Sequence, residues 1–205
     1  MTALTQLALL TEAAPFAIRA ERASDAVARE ALLDACFGAN RQRRACQRLR
    51  DGRAPAEGLA LSAVRAGPLS RNATRLVGTI RLWHVSAGGM RALVLGPLAV
   101  DPTCRKLGIG GALMDHALAA AKARGHGAVV LLGDAPYYAR FGFSGRKTGE
   151  LRLPGPFERD RLLGLELREG ALDGAWGMIV PTGKAAPQGK PRLAGKTRKL
   201  ASHAA

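Results

Sequence analysis

Residues 95–132, LGPLAVDPTCRKLGIGGALMDHALAAAKARGHGAVVLL, constrain the fold more than any other stretch of the chain. An apolar segment runs into a glycine-rich loop, and the loop opens a run with apolar residues at helical spacing. That run stops at Gly125, just before the unbroken apolar AVVLL of Ala128 to Leu132. Strand, helix and strand in this order predict a parallel crossover, because parallel neighbours need a long connection that a helix supplies. A strand as uniformly apolar as AVVLL is one covered on both faces. The chain is therefore expected to be an α/β protein.

The loop between Asp101 and Gly111 sets Arg105 and Lys106 ahead of glycines at 108, 110 and 111. At a helix start the first backbone N–H groups have no partner within the helix and lie at the positive end of its dipole, which suits phosphate oxygens. Glycines there remove the side chains that would hold an anion away. The alternative is that they only let the helix pack closely on its strand. Two phosphate-binding motifs are excluded by spacing: Gly108-Ile109-Gly110-Gly111 lacks GxGxxG, and no GK[ST] follows for a Walker A loop.

Around this unit, alternation and helical periodicity predict a strand near Phe16 to Ala20 and a helix capped by Ser24 or Asp25. Its stripe is Val27, Ala31, Leu32, Ala35 and Cys36, ending at Gly38. A basic helix is expected over Arg41 to Leu49, followed by strands at Leu59 to Arg65 and Arg75 to Val85. A Gly88-Gly89 hairpin leads into Ala92 to Val100. After the crossover helix, Ile109 to Arg124, and the strand AVVLL comes a short helix over Pro136 to Phe141, with Asp134 as its cap. Strands at Glu150 to Leu153, Leu162 to Leu167 and Trp176 to Val180 complete a mixed sheet.

The 205 residues suit one domain with appendages: an extension over residues 1–15, a folded unit over 16–180 and a tail over 181–205. Net charge is +15, and the tail carries six Lys and Arg with no acidic residue, which reads as a solvated basic segment. Such a charge attracts anions in general. With aromatic residues at only 4% and no RNA- or DNA-reading motif, nucleic acid is expected to bind only non-specifically through that tail. Cys36, Cys46 and Cys104 form neither a CxxC pair nor an even framework, so no metal site and a reducing cytoplasm are expected. The N-terminal apolar run is too short to span a bilayer, so no membrane partner is expected.

Arg105-Lys106-Leu107-Gly108-Ile109-Gly110 matches [RQ]xxGx[GA], and "LGPLAV" before it and "YYARFGF" after the next strand complete an order that resembles GNAT-type N-acetyltransferases from about Phe16 to Leu167. Together with "LPGPF", these segments resemble the predicted acetyltransferases of the YhbS-like group. The resemblance implies the GNAT fold, a mixed and mostly antiparallel sheet with splayed central strands flanked by helices. It also implies acetyl-CoA as co-substrate, with its pyrophosphate on the amides of Arg105, Lys106, Leu107, Gly108, Ile109, Gly110 and Gly111.

Gly96-Pro97 interrupts an otherwise regular strand, and a proline, unable to donate to a ladder, belongs at a sheet edge or a bulge. The strand is expected to splay there. In the resembled family such a splay admits the pantetheine arm as an added strand, which makes Leu98 and Val100 candidates for its backbone contacts. An N–H near Leu98 or Ala99 is the candidate oxyanion donor. The resemblance places at Tyr138, four residues before Gly142, the tyrosine that protonates the departing thiolate; Tyr137 is its control, and packing on Phe141 and Phe143 is the alternative role.

No general base is assigned: Asp134 reads as a cap, Glu57 as a loop residue and His84 as a strand-end residue, while Cys104 beside Arg105 reads as a small packed residue. The expected reaction is acetyl transfer to a primary amine acceptor of a small molecule or protein. A module that holds acyl-CoA without transfer stays open beside it. "RQRRACQRLR" reads as a solvated basic face, or else as a preference for acidic substrates. A homodimer is possible, although nothing in the sequence specifies an interface.

Overall fold

Val77, Ile80, Leu82, Trp83, Val85 and Ala87 are all buried along one 14-residue strand, β3 (Thr74–Ala87), which forms the spine of the sheet. The computed structural model describes residues 15–66 and 74–187. The other strands are β1 (Ala17–Ala20), β2 (Ala60–Ala66), β4 (Met90–Val100), β5 (Ala128–Leu132), β6 (Leu151–Arg152), β7 (Leu162–Glu166) and β8 (Gly177–Pro181). They form an eight-stranded sheet in the order β1-β2-β3-β4-β5-β7, with β8 pairing the far end of β3 and also β6. The β1 to β4 meander is antiparallel, and β4 pairs β5 in parallel through the crossover helix α2 (Ile109–Ala123).

The predicted crossover is therefore present, within an open mixed sheet that is mostly antiparallel. Helix α2 covers one face with Ile109, Leu113, Met114, Ala117 and Ala121, all essentially inaccessible. Its approach is close because β3 offers a glycine beneath it. A Cβ at Gly78 would lie 2.8 Å from the Ile109 Cγ2 and 3.0 Å from the Leu113 Cδ1. Helix α1 (Ala26–Phe37) and the residues after it cover the opposite face.

Three expectations need correction on that face. Helix α1 does not bury Val27, Ala31 and Ala35, which are exposed; it turns Leu32, Leu33, Cys36 and Phe37 inward. On the same face lies Arg29, whose guanidinium pairs with Glu21, and Glu21 also pairs with Arg81 of β3. A charged cluster thus substitutes for part of the apolar stripe, which pattern reading cannot register. Residues 41–49 are not one helix but two 3₁₀ segments, Ala39–Arg43 and Ala45–Leu49, separated at Arg44, whose backbone is extended at φ −69° and ψ 145°. The strand expected at Glu150 to Leu153 shortens to Leu151–Arg152.

Asp25 is the third. Its carboxylate does not cap α1 but turns back, accepting two hydrogen bonds from the Arg19 guanidinium at 2.6 and 2.8 Å, one from the Arg22 N–H and one from the Ser62 hydroxyl. Residues 182–184, assigned by composition to the tail, are hydrogen-bonded to the body: Thr182 N–H donates to His84 O, and the Lys184 carbonyl accepts from Ala54 N–H. The basic segment from residue 188 onward and residues 1–14 lie outside the described residues.

The Arg19 hydrogen bonds hold the buried Asp25 carboxyl well below the ordinary carboxylate range, outweighing the opposing effect of burial. A depressed carboxylate contributes stability above its unfolded pKa, about 3.9, and loses it as pH falls through the folded value. Asp25→Ala should therefore destabilise the protein by about 3 kcal/mol at pH 7. In denaturant titrations the gap from the parent should narrow steadily below about pH 4.

Candidate functional site

The ladder between β4 and β5 stops early. Only Leu93 with Val129 and Val94 with Val130 are paired, and beyond them the strands part. The cause is local to β4. Opposite Arg81, the two residues Gly96 and Pro97 stand where one would continue the register, a bulge placed between the Leu82–Leu95 and Ile80–Leu98 pairs. The proline thus sits at a bulge in an interior strand rather than at a sheet edge. Gly96, at φ +134°, takes a conformation closed to other residues, and its carbonyl is held by the Trp83 indole N–H at 2.6 Å.

Downstream of the bulge the ladder with β3 resumes, and its phase decides which backbone groups face the opening. Asp101 N–H donates to Val77 O. Alternation along an antiparallel pair then turns the N–H and C=O of Ala99 toward β3 as well, and those of Leu98 and Val100 away from it. Ala99 lines the opening but has no free backbone group for it; its methyl is buried beneath Leu32 and Leu33 of α1. The Cys36 thiol reaches the Val100 carbonyl from α1 at 3.4 Å. Of the two oxyanion candidates, only Leu98 directs its N–H into the opening.

At the foot of the same opening is the glycine loop. Lys106 and Gly108 both have positive φ, 75° and 73°, and Gly108 is the residue before the first turn of α2. Helical bonding begins with Ala112 N–H to Gly108 O, so the amides of Ile109, Gly110 and Gly111 lie ahead of the ladder at the positive end of a 15-residue helix. A Cβ at Gly108 or Gly111 would meet nothing within 4 Å, and one at Gly110 would meet the Tyr137 hydroxyl and a Val100 methyl. Close packing of helix on strand depends on Gly78 instead, a residue that sequence reading passed over. The side chains of Leu107 and Ile109 join the core, and those of Arg105 and Lys106 are exposed.

Across the opening, β5 ends at Leu132 and the chain turns through Gly133 into α3 (Ala135–Ala139), whose cap is the Asp134 carboxylate accepting from Tyr137 N–H. Gly133 has no side chain, and any Cβ there would overlap the Tyr138 ring. Tyr138 is packed edge-on against Tyr137 and Phe143, at centroid distances of 4.9 and 5.9 Å. Burial pushes its hydroxyl up to about 12. Tyr137 lies under the Arg140 guanidinium, 4.2 Å from its ring centroid.

These parts line one cavity of about 970 Å³ at the carboxyl ends of the parallel pair. It brings together Leu98, Ala99, Val100, Arg105, Gly110 and Tyr138. The 3₁₀ segments after α1 and the 156–161 loop close its far side, adding Arg50, Phe157, Glu158 and Arg161, which pattern reading did not connect to the site. Glu57 and His84 are not on its wall. Cys104 is buried beneath the loop with the Arg75 guanidinium 3.6 Å from its sulfur.

An Acetyltransferase (GNAT) domain profile matches residues 69–145. A GNAT family N-acetyltransferase, YhbS, from Escherichia coli, crystallised in complex with CoA, is 28% identical with a TM-score of 0.68, over 83% of this chain and 91% of that one. A GNAT family acetyltransferase from Brucella melitensis in complex with acetyl-CoA is 27% identical with a TM-score of 0.53, over 83% and 94%. An acetyltransferase of the GNAT family from Staphylococcus aureus shares the fold at 17% identity and a TM-score of 0.50, over 75% and 99%. No curated relative matches the chain.

Burial pushes the Cys36 and Cys46 thiols up, and all three cysteines are free. A thiol reagent at pH 8 should therefore modify the native protein slowly at all three positions and the denatured protein rapidly at all three. Counting thiols by absorbance before and after denaturant checks it.

Proposed function

We propose that this chain, a member of the GNAT superfamily and of its YhbS-like group, is an acetyl-CoA-dependent N-acetyltransferase that moves the acetyl group directly onto a primary amine. The observation that carries this reading is the meeting of two features in one cavity: amides of α2 ahead of its ladder, and the outward-turned backbone of Leu98 and Val100. The first suits a pyrophosphate. The second is an open strand edge on which the two amides of a pantetheine arm pair as an added strand. The arm then runs along β4 toward the bulge, with the thioester near Gly96 to Leu98 and Tyr138.

In that arrangement the neutral amine attacks the thioester carbonyl carbon, the Leu98 N–H stabilises the oxygen as charge develops, and the C–S bond breaks to give the amide and a thiolate. Magnitudes decide the part of Tyr138. A hydroxyl at about 12 stands well above an ordinary thiol at about 8.5, so full proton transfer to the thiolate is uphill by roughly a thousandfold or more. Tyr138 acts as a hydrogen-bond donor to the sulfur as its charge grows, and the proton that completes the thiol comes, by way of water, from the amine nitrogen, which becomes cationic as it bonds to the carbonyl carbon. Asp134, committed to its cap, is left out of the transfer. The three free thiols suit a reducing compartment such as the cytoplasm, and no helix among the described residues is long and apolar enough to cross a membrane.

Calorimetric titration with CoA tests the binding half. Gly110→Glu, which puts a carboxylate on the cavity wall, should weaken CoA binding by at least about tenfold, or roughly 1.4 kcal/mol. Gly111→Ala, whose added methyl meets nothing within 4 Å, should bind as the parent does. Absence of CoA binding by the folded parent would end this reading. Binding without CoA release from acetyl-CoA in the presence of any amine would make the chain a holding module.

Tyr138→Phe should lower kcat by about ten- to a hundredfold with CoA affinity intact. Because the hydroxyl keeps its proton up to about pH 12, the parent's rate should show no alkaline fall from Tyr138 below about pH 11. An unchanged kcat in the variant would remove Tyr138 from the reaction.

A further inference from the structure

Arg43, Arg44 and Arg48 form a solvated basic face, as expected, but Arg41 and Arg50 turn toward the cavity and are partly buried. Arg41 is largely buried and saturated by acid, its guanidinium pairing with Glu30 at 2.5 Å and Asp34 at 2.6 Å. Arg44 lies over the Phe37 ring, 5.0 Å from its centroid. Arg161, at the end of the neighbouring 156–161 loop, is 3.5 Å from both the Glu158 carboxylate and the Gly133 carbonyl. Arg50 differs from Arg41 and Arg161 in its partners, and from the exposed Arg44 in being partly buried. Its Nε donates to the Cys46 carbonyl at 3.1 Å, and neither terminal nitrogen has a protein acceptor among the described residues.

A partly buried guanidinium on a cavity wall, with no acceptor among the described residues for its terminal N–H groups, holds those donors free for an anion that enters the cavity. Burial pushes the Arg50 guanidinium below its usual value, and the positive charges of Arg41 and Arg44 push the same way against Cys46 and Asp51. The location is as specific as the charge. The Arg50 Nη1 lies 3.5 Å from where a Cβ of Gly96 would be, at the bulge and at the end of the cavity away from the glycine loop. On the reading above, that end holds the thioester and the acceptor, whereas the phosphates of CoA lie at the other.

We infer that the acceptor amine carries an oxyanion group, a carboxylate or a phosphate, close to its nitrogen, and that Arg50 binds this group with its two terminal N–H pairs. Arginine suits the task because its planar fork matches two oxygens of either anion at once. The anion completes the pairing that the fold leaves open, and its attachment places the amine beside Gly96 to Leu98. Arg50 is thus a specificity-determining residue for an anionic amine.

The inference rests on the acetyltransferase reading, and one set of measurements separates the two. CoA release from acetyl-CoA is followed with matched amines: β-alanine against its amide, and phosphoethanolamine against ethanolamine. The parent should favour one anionic member by at least about tenfold in kcat/KM. The pair that shows it identifies the anion. Arg50→Met should cost the anionic amine at least about tenfold more than its neutral partner, mostly in KM, and Arg50→Lys should restore part of the difference.

CoA affinity by calorimetry should be the same in parent and variants, since Arg50 lies away from the glycine loop. Equal rates within both pairs, or an equal loss on both members in Arg50→Met, would overturn the inference and leave the acetyltransferase reading standing. If CoA binds and none of these amines reacts, inorganic phosphate titrated into the CoA-loaded protein decides. Binding lost in Arg50→Met supports the anion site, and binding that is absent or unchanged overturns it.

Discussion

The extra residue at Gly96-Pro97 is the constraint on which the site depends. A register of one-to-one pairs would carry β4 alongside β5 to its end and close the sheet. By setting two residues of β4 against Arg81 of β3, the bulge bends the strand away from β5 after Leu95 and turns the backbone of Leu98 and the N–H of Val100 to open space, with the Val100 carbonyl met by the Cys36 thiol. A bulge carbonyl without a ladder partner is a liability in a buried place. Here the Trp83 indole accepts that burden, and because Trp83 is itself buried in β3, the irregular peptide is tied to the most regular strand of the fold.

Everything else in the cavity is positioned from the two edges of that opening. On the β4 side, the chain leaves Val100 for a loop in which Asp101 accepts from the Thr103 N–H and pairs with Arg75, bringing the start of α2 to the foot of the split. On the β5 side, Gly133 lets the Tyr138 ring settle against the strand end. Glycines serve two separate physical ends within this arrangement. Gly78 allows α2 to lie on β3, whereas Gly108, at positive φ, ends the loop in a conformation that opens the helix.

The loop, the crossover and the splay were legible because each is written in local sequence: a glycine spacing, an apolar run between turn signals, a proline inside a strand. The α1 face was not, because Arg29 of α1, Arg81 of β3 and Glu21 of the loop after β1 bury charge against charge, and a residue-by-residue hydrophobicity pattern counts each of them as solvent-facing. Residues 41–49 carry helical composition, and the break at Arg44 leaves no sequence signal such as glycine or proline. Arg50 was hidden for a related reason. Six arginines between Arg41 and Arg53 read alike in sequence, and only the fold shows that Arg41 has two carboxylate partners while Arg50, partly buried at the cavity wall, has none among the described residues.

The central claim is that a ligand strand completes β4 beyond its bulge. Amide hydrogen exchange measured residue by residue, without ligand and at saturating CoA, addresses it most directly. Free protein should exchange quickly at Leu98 and Val100 and slowly at Ala99, whose amide already faces β3. CoA should slow exchange at one or both of the first two and leave Ala99 as it was. Leu98 and Val100 amides that are slow from the start, or that exchange equally fast with CoA bound, would contradict the account.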